Sequence, residues 1–87
     1  MKHLEELNHT IGKNIKARRI MKQMTIEKLS ERSGLDDKFI SKVERGKAGF
    51  TMFTLFRLAS GLNLNSPVEL LSDASKEIYP KFRDAGD

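Results

Sequence analysis

The chain has 87 residues, of which 38% are hydrophobic and none is cysteine, and a formal net charge of +4. That length holds one small domain. The absent cysteines exclude a disulfide framework and a thiolate metal site, and no stretch approaches the roughly 18 apolar residues that cross a bilayer. The basic excess is uneven: residues 1–30 hold seven Lys/Arg against three acids, and residues 73–87 three against four. Such a distribution is compatible with a polyanionic partner beside the N-terminal part, although a basic cluster alone is more often a solvated face. The start, MKHLEELNHT, has charges where a signal peptide needs an apolar run, so a cytoplasmic domain is expected.

Leu4, Leu7, Ile11 and Ile15 recur at spacings of three and four, which predicts a long first helix running to about Lys22. Gly12 falls inside it at a cost of about 1 kcal/mol, so the stretch before it is expected to fray or to form a separate turn. Thr25 is a good N-cap for a second helix over about 26–33, and Asp36 for a third over about 37–45. Between those caps Leu29 faces the core, and Ser30 is small enough for two helices to approach closely. Gly34 can take the left-handed conformation that ends the second helix. Leu35, Ile40 and Val43 then give an apolar stripe at helical spacing. Gly46 ends the third helix, and Lys47-Ala48-Gly49 is a loop.

Thr51 caps a fourth helix whose Met52, Leu55, Leu58, Ala59 and Leu62 are expected to face inward, and Asn63 can terminate it in the left-handed region. Ser66-Pro67-Val68-Glu69 is a strong start signal, with a serine cap, a proline at the first helical position and a glutamate that reaches back as a capping box. A short fifth helix through Leu71 follows. Residues 72–87 place Ile78, Tyr79 and Phe82 around Pro80 and can dock as an arm or stay loose. The expected division is a domain over 1–71 and a C-terminal tail over 72–87, with an all-α fold of short connections.

Residues 25–47, TIEKLSERSGLDDKFISKVERGK, read as two short helices crossing over a tight turn at Gly34, the second of them cationic. That is the helix-turn-helix unit. Together with IGKNIKARR at 11–19, the segment ISKVERGK and the Leu55-Phe56-Arg57-Leu58-Ala59 run, it resembles the phage repressor/Cro-like (XRE-like) helix-turn-helix family. The likeness covers about residues 11–71, with 1–10 an extension of helix one. It implies a five-helix lambda-repressor-like DNA-binding domain whose third helix enters the major groove. Carried over position by position, the base-facing places are Asp37, Lys38, Ser41 and Lys42. Lysine can donate to guanine, and a carboxylate can accept from cytosine. Asp37, as a first-turn acid, favours the helix dipole with or without DNA, and that structural reading ranks ahead of base readout.

The resemblance further implies phosphate contacts from Thr25, Arg45, Lys47 and Arg19, with Arg19 also held in a partly buried ion pair to Glu44. Lys47 competes with the plain reading of a solvated loop charge. Two departures stand out. Ile26 occupies the place where many relatives carry a phosphate-binding glutamine, which leaves only the backbone N–H groups there. Arg18 stands where an apolar residue is commoner, adding charge at some expense of core.

Phe53, one turn before Phe56, lies at a usually polar place. The two aromatics are either covered by the helix-one extension or by Tyr79 and Phe82, or form a homodimer surface. The family implies dimerisation through the fifth helix and tail, so Phe53, Phe56, Leu70, Leu71 and Tyr79 are the interface candidates. Two recognition helices about 34 Å apart would then read a near-palindrome. His3 and His9 lack a third ligand at metal spacing and read as solvated surface, and no Walker loop, nucleophile motif or paired carboxylate supports an enzyme. No metal or cofactor is expected, and no membrane. The expected function is a transcriptional repressor bound to DNA as a dimer, of the phage-repressor, restriction–modification-controller or antitoxin type, with a protein partner as a further candidate. The rival from another class is a helical protein-interaction adaptor that uses the Phe53/Phe56 face.

Overall fold

The computed structural model describes residues 3–85; Met1 and Lys2 of the expected helix-one extension, and Gly86 and Asp87 of the expected tail, lie outside the described residues. Within them the chain is all-helical: α1 (Leu4–Met21), α2 (Ile26–Ser33), α3 (Asp37–Glu44), α4 (Met52–Gly61), a 3-10 segment (Pro67–Leu71), α5 (Ser72–Glu77) and α6 (Tyr79–Ala85). Six α-helices therefore replace the expected five, and the element expected as the fifth is the 3-10 segment.

The expected caps form. Thr25 Oγ1 accepts from the Lys28 N–H, Asp36 Oδ2 from those of Lys38 and Phe39, and Thr51 Oγ1 from that of Thr54. Ser66 and Glu69 close the capping box in both directions. Helices α1, α3 and α4 each end in a paired reverse bond, with Gln23, Gly46 and Asn63 at positive φ. At the end of α3, for example, Gly46 N–H donates to Val43 O and Lys47 N–H to Lys42 O. This motif satisfies carbonyls that a helix end would otherwise leave bare.

Ile11, Ile15, Leu29, Ile40, Val43, Leu55, Leu58, Ala59, Leu62, Leu70, Ala74 and Ile78 make one buried core. Ala74 and Ile78 carry that packing past Leu71, so residues 72–85 are helical parts of the same body rather than a loose tail. Pro80 sits in the first turn of α6, where its missing N–H breaks no helical bond. That is why the proline begins a helix here. The C-terminal helix meets the start of α1: the Phe82 ring lies 5.6 Å from that of His3, and Lys81 pairs with Glu6. The lysine's hydrogen bond, and then that of His3, hold the Glu6 carboxyl below its ordinary range. His3 is thus packed between Glu6 and Phe82 rather than freely solvated.

Three inward assignments are corrected. Met52, the first residue of α4, is 67% exposed. Leu4 is also largely exposed, so the buried stripe of α1 begins at Leu7. The close helix approach uses Ser33 and Gly61, where an added Cβ would fall 3.0 Å from Ser33 Cβ; the Ser30 hydroxyl instead donates to the Leu35 carbonyl across the turn.

Gly12 does not break α1. A Cβ there would lie 2.2 Å from the Val43 carbonyl oxygen and 2.9 Å from that of Glu44, so glycine lets α1 lie directly on the end of α3. Gly12→Ala is expected to lose about 1–3 kcal/mol of stability by overpacking, despite alanine's better helix propensity. Urea unfolding measures the difference, and a gain in stability would contradict the close contact.

Candidate nucleic-acid interface

The cationic helix α3 is presented by two neighbours, α1 and α2. Its inner side buries Ile40, Val43 and Glu44, with Phe39 packed partly against the core. Its outer side exposes Lys38, Lys42 and Arg45, with Asp37 and Ser41 half-buried at the margin. Lys38 and Lys42 are four residues apart and share one face. The five sites therefore fall on one continuous surface, and no part of the described chain covers its lysines.

Arg19 and Glu44 fix that surface against α1. Arg19 Nε donates to Glu44 Oε2 at 2.7 Å and Nη2 to Oε1 at 3.0 Å, a two-pronged pair. Its remaining Nη1 donates to the Met24 carbonyl at 2.8 Å, tying in the connection to α2. The side chains are 11% and 3% exposed. The hydrogen bonds to Glu44 raise the Arg19 pKa against the opposing effect of burial. These bonds use three of the guanidinium's five N–H groups.

Thr25 Oγ1 acts as an acceptor in its cap, which leaves the hydroxyl proton free to donate outward. The neighbouring Ile26 packs against the core, so the residue that replaces the expected glutamine contributes apolar contact instead. Arg45 Nε donates to the Ser41 carbonyl at 3.3 Å, laying the guanidinium along the last turn of α3. Lys47 is exposed on the following loop.

Several positioning residues carry no motif that the sequence reveals. Arg57 stacks its guanidinium 4.9 Å above the Phe53 ring and points Nη1 at the Ser33 carbonyl, 3.5 Å away, at the end of α2. It thereby braces the turn that carries α3. Arg18 Nη2 donates to the Glu69 carbonyl at 3.2 Å and Nε to Asn14 Oδ1 at 2.8 Å, while Asn14 Nδ2 reaches the same carbonyl at 3.1 Å. The arginine expected to weaken the core thus clamps α1 to the 3-10 segment.

Of the interface candidates, Phe53 and Phe56 are 63% and 54% exposed, and Tyr79 is exposed as well. Neither α1 nor Phe82 covers the two phenylalanines. Leu71 is half-buried, but Leu70 is fully buried in the core and cannot present its side chain to a partner. That assignment is corrected: the 3-10 geometry turns Leu70 inward beside Leu62 and Ala74.

Comparison with known proteins places this architecture. A family model described as "Helix-turn-helix" matches residues 15–70. An uncharacterized HTH-type transcriptional regulator, y4dJ, of Sinorhizobium fredii is 34% identical over 67 residues, spanning 77% of this chain and 86% of that protein. Control protein C.SmaI of Serratia marcescens is 32% identical over 62 residues, 71% of this chain and 74% of the other. Among solved structures, the restriction-modification controller protein C.AhdI of Aeromonas hydrophila superposes with a TM-score of 0.70 at 30% identity, covering 72% of this chain and 94% of that one.

Glu44→Leu is expected to cost about 3–5 kcal/mol, because it strands a sheltered guanidinium, and Arg19→Met should likewise leave the Glu44 carboxylate unpaired. The joint replacement Arg19→Met/Glu44→Leu should cost less than either single change. Chemical denaturation of the three variants tests this, and simple additivity would remove the pair from its structural role.

Proposed function

This chain belongs to the helix-turn-helix family, and we propose that it is a sequence-specific DNA-binding transcriptional regulator that works as a homodimer by occupying an operator. The observation that carries the reading is the outer face of α3. Lys38, Lys42 and Arg45 stand exposed on a helix whose opposite side is locked into the core. Lys38 and Lys42 read base edges in the major groove, each able to donate to guanine O6 or N7. Ser41 lies beside them, and Asp37 chiefly favours the helix start. Thr25, Arg45 and Lys47 hold phosphates, with the N–H groups at the start of α2 in place of the missing glutamine. Arg19 acts mainly through Glu44, by orienting α3.

A second copy of the chain completes the reading, since one module of this size makes too few contacts for tight specific binding. The exposed Phe53 and Phe56, with Leu71 and Tyr79 as further candidates, supply apolar surface for it. The likeness to C.SmaI and C.AhdI favours a controller of restriction–modification genes over a phage repressor or an antitoxin. Repression follows from occupancy alone, because a dimer on an operator blocks polymerase. The chain is not read as an enzyme, and its place is the cytoplasm, where the DNA is. The adaptor reading keeps one observation in its favour, the same pair of exposed aromatics.

Selection of bound duplexes from a random pool tests the function directly. A defined consensus is expected, and recovery of no duplex would leave the adaptor reading in its place. On that consensus Lys42→Ala should relax preference at one position by about 1–3 kcal/mol, whereas equal loss on all sequences would remove Lys42 from base readout. Phe53→Glu should shift sedimentation towards monomer. An unaltered dimer would move the interface to the Leu71/Tyr79 side.

A further inference from the structure

The outward side of α1 carries two lysines and a histidine that the helix pair does not use. His9, Lys13 and Lys16 are exposed and separated by four and three residues, so they stand in one line along the helix. The adjoining flank of α1 faces α3, through Gly12 against the Val43 and Glu44 carbonyls and through Arg19 against Glu44. The line therefore runs alongside the C-terminal end of the cationic helix.

The loop after α3 joins the two. A Cβ on Gly46 would fall 2.8 Å from His9 Cα, which puts the two backbones in direct contact. Asn8, His9, Arg45 and Lys47 line one polar cavity there, with Glu5 at the same cavity. Among the described residues, the ion pairs engage His3, Arg18, Arg19, Lys28 and Lys81. Lys13, Lys16, Arg45 and Lys47 have no carboxylate partner in that set.

We propose that His9, Lys13 and Lys16 form, with Arg45 and Lys47, a continuous track that binds duplex phosphates flanking the groove entered by α3. The proposal rests on the DNA-binding reading above and extends it beyond the residues of the helix-turn-helix. His9 to Lys16 spans about 10 Å of helix, enough to follow roughly two or three phosphates of one strand at one charge per 3.4 Å of duplex axis. Each ammonium that meets a phosphate releases a condensed counterion, so the track adds affinity without base preference. Glu5, one turn before His9, repels phosphate and marks where the track ends.

The test uses the duplex that the wild-type chain selects from a random pool, once with long flanks and once trimmed to the consensus. Lys13→Ala/Lys16→Ala should reduce the slope of log affinity against log salt by about 1.8. That corresponds to a loss about tenfold smaller between 50 and 200 mM salt. The wild type should prefer the flanked duplex, the double variant should show a clearly smaller preference, and the preferred consensus should stay the same. Lys13→Gln/Lys16→Gln should reproduce the slope change, and circular dichroism should report an unchanged fold. An unchanged slope, or equal sensitivity to trimming in wild type and variant, would overturn the track while leaving the DNA-binding reading intact. A wild-type chain that selects no duplex would overturn both.

Discussion

The contact between α1 and the end of α3 decides where the cationic helix points. Gly12 admits the Val43 and Glu44 carbonyls to a distance that no side chain could share, and about two helix turns later Arg19 grips Glu44 with two hydrogen bonds. The first contact is steric and tolerates no addition. The second is ionic and tolerates no removal, because a sheltered charge without its partner is expensive. Between them they fix both the separation of the helices and the rotation of α3 about its own axis. A helix that reads sequence by the direction of a few side chains needs that rotation fixed, since side chains three or four residues apart define its usable face.

The remainder of the molecule holds this arrangement from the other sides. Ser33 and Gly61 bring α2 against α4, and Arg57 braces the end of α2 from its perch on Phe53. Arg18 and Asn14 converge on the Glu69 carbonyl, so the 3-10 segment is anchored to the same helix that sets α3. Glu69 serves twice, with its carboxylate capping its own segment and its carbonyl receiving the clamp. Polar groups here act at helix ends and crossings, where backbone donors and acceptors would otherwise go unpaired.

Local chemistry was the legible part of the sequence. Thr25, Asp36, Thr51 and Ser66 announced helix starts because a cap needs only its own neighbours. Gly34, Gly46 and Asn63 announced endings for the same reason. The Arg19–Glu44 pair was readable only through the family resemblance, since nothing in the spacing of two residues 25 apart shows that they meet. What depended on distant packing was misread or missed. Gly12 looked like a weakness because its partner backbone lies on another helix. Arg18 looked like a misplaced charge because the carbonyl it binds is 51 residues away. Leu70 looked like surface because a 3-10 turn rotates side chains differently from an α-helix. Whether residues 72–87 dock was open for the same reason, since the core that Ala74 and Ile78 join is built by the preceding helices.

The strict division of α3 into a buried and an exposed side has a consequence for how such proteins diverge. Ile40, Val43 and Glu44 belong to the scaffold, while Lys38 and Lys42 are exposed and Asp37 and Ser41 sit half-buried at the margin. Residues of the second kind can be exchanged with small effects on stability, so new recognition can arise there without repacking the interior. Duplicated copies of this chain could drift to separate genomic addresses while remaining interchangeable as folded bodies, and a retargeting library built on four codons would sample that same freedom.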